Sequence, residues 1–154
     1  MKRILLFALT LALATITNAQ SIKGVVLGEK YGHSTATITS LGGHRGEIKV
    51  FKDQDDIVYT AIFKSSTYLT TSKFETLKKN IEKYYDVKLK FNSRTNGYYT
   101  QKKDVLYSLR TTEYSNADNA GSSSPNFKFE FQISLINLAQ DHLLYLRDSA
   151  DVDF

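Results

Sequence analysis

The chain has 154 residues, 42% of them hydrophobic and 23% charged, with a formal charge of +4 and no cysteine. The missing cysteines exclude disulfides, thiol nucleophiles, cysteine-held zinc and a lipid anchor attached through a lipobox. The charge is unevenly laid out: Lys78 to Arg110 carries nine basic residues against three acidic, and Thr111 to Phe154 carries two against seven.

Residues 1–19 have the three-part form of a secretory signal peptide. Lys2 and Arg3 supply the positive start. Ile4 to Ile16 is apolar apart from two threonines, and Thr17-Asn18-Ala19 places small residues ahead of Gln20. The apolar run is short for a membrane span, and no stop-transfer segment follows it. The expectation is cleavage before Gln20 and an exported protein, in the periplasm or the medium. Residues 20–154 then form a single domain, large enough to be held by packing alone. Export also argues against a nucleic-acid partner.

Alternation of apolar and polar residues dominates the rest of the chain. A strand is expected near Ile22–Leu27 and another near Ser34–Leu41, with Gly42-Gly43 as the next turn. Ile48 and Val50 begin a strand that turns through Asp53-Gln54-Asp55-Asp56 into Ile57, Tyr59, Ala61 and Phe63. A helix follows. Ser72 is its expected N-cap, completed by Glu75 as a capping box. Phe74, Leu77, Ile81, Tyr84 and Tyr85 recur at helical spacing, and the end is expected near Asp86. Val87, Leu89 and Phe91 alternate with lysines as a strand, Asn96-Gly97 reads as a hairpin turn, and Val105–Thr112 reads as a further strand. Residues 115–126 hold no apolar side chain larger than alanine and read as a flexible loop between adjacent strands. Phe127 to Leu135 is the cleanest alternation in the chain. Residues 138–147 fit a helix or a strand, and the aspartates after them read as a solvated tail. The sum is an α+β fold: a mainly antiparallel sheet with one amphipathic helix packed on one face.

The run Ile22-Lys23-Gly24-Val25-Val26-Leu27-Gly28, with Gly42-Gly43 after it, resembles small, exported, uncharacterised proteins of Gram-negative bacteria. The element order is similar to that of secreted β-lactamase-inhibitor proteins and of outer-membrane assembly lipoproteins. The resemblance implies an exported α+β domain and brings no functional residue with it. The anchoring cysteine of the lipoproteins is absent.

Chemistry-bearing motifs are sparse. His33, His44 and His142 have no metal-ligand spacing, although His33 and His44 could meet across a hairpin. Asp53-Gln54-Asp55-Asp56 lacks the glycine and the distant glutamate of a calcium loop. No serine lies in a nucleophile elbow, and no glycine-rich phosphate loop exists. No cofactor and no metal are expected. The stronger signal is aromatic and basic: tyrosines crowd the positive block, and Arg and Tyr are enriched at binding surfaces. Arg94, Tyr98, Tyr99, Lys102, Lys103 and Arg110 are the candidate partner-binding residues. The expected role is a non-enzymatic binding or accessory protein of the cell envelope. Its partner would be another protein or an anionic envelope component. The alternatives are a small exported hydrolase using His33 or His44, and a structural protein that pairs through a sheet edge.

Overall fold

The computed structural model describes residues 20–115 and 126–137. The signal peptide, most of the expected loop, and everything from Leu138 onward lie outside them.

The chain begins with a small hairpin, β1 (Ser21–Ile22) and β2 (Val25–Val26). Lys23 and Gly24 both have positive φ, 49° and 82°, the pair of left-handed residues that a tight two-residue turn needs. The single strand expected over Ile22–Leu27 therefore folds back on itself. Ile22, Val25 and Leu27 all enter the core from it.

Seven further strands form one antiparallel sheet: β3 (Ala36–Leu41), β4 (His44–Lys52), β5 (Val58–Ser65), β6 (Lys90–Asn92), β7 (Gly97–Lys102), β8 (Val105–Ser115) and β9 (Asn126–Leu135). The spatial order is β3-β4-β5-β9-β8-β7-β6. Gly42 and Gly43, with φ of 57° and 81°, make the β3–β4 turn. The β4–β5 turn is built by Asp53, whose Oδ1 accepts from the N–H groups of Asp55 and Ile57, both at 2.9 Å. That is the hairpin role expected of these aspartates. At Gly46 the backbone passes under the Phe63 ring, and a Cβ there would strike the ring and the Lys64 carbonyl.

The helix α1 (Thr71–Tyr85) lies across one face of the sheet and buries Phe74, Leu77, Ile81 and Tyr85. Phe74 meets Phe127 edge-on, and Tyr85 packs on Tyr107 and Phe131. This is the α+β layering expected from the periodicities. The cap differs: Thr70, not Ser72, is the N-cap and accepts from the Lys73 N–H, while Ser72 lies inside the first turn. Asp86 closes the other end in the left-handed region, its N–H bonding to the Glu82 carbonyl.

Two other elements differ from expectation. The Val87–Phe91 alternation yields only the three-residue β6. Residues 87–89 are a connection, tied to the helix by the Leu89 N–H donating to Glu82 Oε1 at 2.9 Å. Asn96 and Gly97 are not the two corners of a tight hairpin either. The β6–β7 link is Ser93 to Asn96, with Asn96 left-handed and Gly97 already paired to Asn92. At the other end, β8 and β9 stay paired as far as Ser115 and Asn126, so both ends of the expected loop belong to strands.

Candidate functional site

The six candidate residues lie on or beside β7, and β7 is a strand, so its alternation decides where each one points. Tyr98 faces the helix layer. It is half-buried, with Phe91 5.2 Å and Phe74 6.1 Å away by ring centroid, and Lys78 Nζ 4.7 Å over its ring. Tyr99 faces the opposite side, where its ring lies over Gly97. Arg110, registered across from Gly97, shares that side with Tyr99.

Arg110 is already engaged. Its Nε and Nη2 donate to Glu130 Oε1 at 3.1 and 2.6 Å, and Lys64 Nζ approaches Glu130 Oε2 at 3.1 Å. Glu130 is only 3% exposed. A buried carboxylate needs such partners, so the two Arg110 donors on one oxygen and Lys64 at the other answer a structural demand. Four residues along β9 on the same face, the Thr60 and Ser134 hydroxyls bond to each other at 3.0 Å.

Lys102 is engaged as well. Its ammonium donates to the Tyr85 and Asp86 carbonyls at 3.2 and 2.9 Å and to Asp86 Oδ2 at 2.8 Å. It thereby caps the carbonyl end of α1, where a cation is favoured. The same hydrogen bond holds the Asp86 carboxyl below its ordinary pKa. Lys103 sits at the exposed β7–β8 turn with φ of 56°, its carbonyl accepting from Gln101 Nε2. Arg94 is exposed in the β6–β7 turn, at the far end of β7. The structure thus separates the six. Tyr99 and Arg110 share the sheet face away from the helix. Tyr98 lies in the helix layer. Arg94 marks one end of β7, and Lys102 and Lys103 mark the other.

A different cluster was not singled out from the sequence. Phe91, on the edge strand β6, is 56% exposed and leans on Tyr98, while Lys78 of the helix covers the same tyrosine. Arg94 follows in the turn, while Lys90, registered with Tyr99, takes the opposite face of β6. Neither has an ion pair among the described residues, whereas Lys78, Lys88, Lys102 and Arg110 all do. The signal was present as Phe91 beside the basic block. Its alternation with Val87 and Leu89 points instead to the apolar face of a strand.

The histidines do not converge. His33 stacks edge-on against Tyr31, whose carbonyl accepts from Lys52 at the end of β4. His44 begins β4 and packs edge-on against Phe129. The two therefore sit at opposite ends of a nine-residue strand, roughly 25 Å apart at the usual strand rise. The approach considered across a hairpin is not formed. Burial and the positive Lys73 lower the His44 pKa, which favours its neutral form. Burial also pushes Tyr107 up to about 12 and raises Tyr85, so both phenols stay protonated. Among the described residues, no group of three or more His, Asp or Glu side chains is placed to hold a metal ion. No helix among them is long and apolar enough to cross a membrane.

Comparison with protein-family profiles, with curated proteins and with solved structures found no match.

Proposed function

We propose that this chain is an exported, non-enzymatic binding or accessory protein of the cell envelope. Its contact surface is the corner formed by α1, β6 and the β6–β7 turn. The observation that carries this reading is Phe91: a large aromatic, 56% exposed, backed by Tyr98, with Lys78 over the Tyr98 ring and Arg94 in the adjoining turn. An exposed aromatic on a packed support offers contact area at low entropic cost. Nearby cations speed encounter with an anionic partner. Arg94 and Tyr98 remain from the six residues expected to bind. Arg110 and Lys102 are given structural roles, and Tyr99 and Lys103 lie away from the corner.

A photo-cross-linking residue at position 91, used in the exporting cell, tests the reading. The expected result is a discrete adduct that disappears with Arg94→Glu. A cross-linker at Gln54, in the β4–β5 turn, should give none. Equal adducts from both positions would overturn the reading. N-terminal sequencing of the same preparation should return Gln20, and recovery of Met1 would overturn export.

A further inference from the structure

The two edges of the large sheet are unlike. β6 is three residues long and opens with Lys90. Brevity and a lysine are the usual protections of a sheet edge. β3 is six residues, Ala-Thr-Ile-Thr-Ser-Leu, with no charge and no proline. Its Ile38 is 69% exposed, the most exposed large hydrophobic residue among those described.

The backbone of β3 is open on one side. Val50 N–H donates to the Thr35 carbonyl at 2.8 Å, and Ala36 is registered with Lys49. In an antiparallel ladder the bonded pairs alternate, so Thr35, Thr37, Thr39 and Leu41 bond inward to β4. Ala36, Ile38 and Ser40 then direct their N–H and C=O groups outward. Ser34 Oγ occupies both groups of Ala36, at 3.0 and 3.4 Å. Those of Ile38 and Ser40 have no partner among the described residues.

We propose that β3 pairs with β3 of a second copy of this chain, antiparallel, about a two-fold axis at Ile38. The two seven-stranded sheets then become one. The strand is built for this register, because Ala36-Thr37-Ile38-Thr39-Ser40 reads nearly the same in both directions. Ile38 falls opposite the second copy's Ile38, Thr37 opposite Thr39, and Ala36 opposite Ser40. Two exposed isoleucines become cross-strand neighbours, threonines pair on the other face, and no like charges meet. Glu47 stands beside Ile38 on β4, and its counterpart in the second copy is three strand spacings off. That is about 14 Å, beyond the screening length at physiological salt. The outer rungs require the Ser34 hydroxyl to turn aside, which its exposure permits. Self-pairing consumes the long edge of the large sheet as described, so the assembly closes as a dimer and leaves a protected β6 at each end. A single strand edge is a small interface, so the dimer is weak and concentration-dependent.

The absence of cysteine makes the test clean. In the proposed register the two Ile38 Cα atoms lie about 5.5 Å apart, within disulfide reach, and the two Ser40 Cα atoms about 13 Å apart, beyond it. The protein purified as the cell processes it, carrying Ile38→Cys, should form a covalent dimer under mild oxidation. Ser40→Cys, also exposed and on the same strand, should not. By sedimentation, the unmodified protein should show a reversible monomer–dimer equilibrium. Ile38→Lys should weaken it about tenfold or more by placing two lysines face to face, and Ile38→Val should keep it. Cross-linking at position 40 as fast as at 38 would overturn the proposal. So would a protein that stays monomeric at every concentration.

Discussion

Arg110 and His44 show how burial decides what a side chain is for. Arg110 looked like a binding residue because it closes the basic block, yet its guanidinium answers a carboxylate only 3% exposed. Arg110→Ala leaves Glu130 with Lys64 alone, and unfolding in urea should show a loss of about 2–3 kcal/mol, below the full cost of orphaning a buried charge. The pKa of His44 is lowered first by burial and then by Lys73. Its folded pKa lies below its unfolded value, so the unfolded chain binds the extra proton. Stability conferred by the neutral ring is therefore present above about pH 6.5 and is lost as pH falls from there toward the folded pKa. Melting temperatures of the protein and of His44→Phe should diverge in that window and run parallel above it. Asp56 and Asp86, whose pKa values are lowered by their lysine partners, act only in stronger acid.

At the scale of elements, long amphipathic periods were legible and local chemistry at their ends was less so. Phe127–Leu135 reads as a strand in sequence and is one, with Phe129 and Phe131 fully buried. Phe129→Ala should cost about 3–5 kcal/mol in a denaturant titration, since no disulfide limits the unfolding. Lys128→Ala, on the opposite face, should leave the midpoint nearly unmoved. The helix was equally clear from Phe74, Leu77 and Ile81, but its cap was assigned two residues late. Ser72 and Glu75 have capping-box spacing, while Thr70 alone has the extended backbone that a cap requires. Thr70→Ala should destabilise by about 1 kcal/mol, and Ser72→Ala should have almost no effect. β6 was overextended for a related reason. Leu89 reaches the core from a connection, so its burial mimics strand alternation without strand pairing. The candidate residues part for a related reason. Tyr98 and Tyr99 are neighbours in sequence, and adjacency in a strand guarantees opposite faces.

At the scale of the whole molecule, the position of β9 was not legible, because no local pattern says which strands a given strand will lie between. It sits between β5 and β8, so β3-β4-β5 and β8-β7-β6 are joined in the sheet only through it. That arrangement sets a clock on the molecule's birth. Every other described strand leaves the ribosome before β9, and until Leu135 is available the two half-sheets have no seam. β5 and β8 meanwhile expose Phe63 and Leu109, which the finished protein hides completely. Contacts that close over so long a stretch of chain form late. For a polypeptide that has to be threaded through a translocation pore, as proposed here, this delay is useful: the sheet cannot lock while the chain is still passing through. The same interval is when it most needs a holding chaperone, since one edge of each of two long strands is then open to any neighbour.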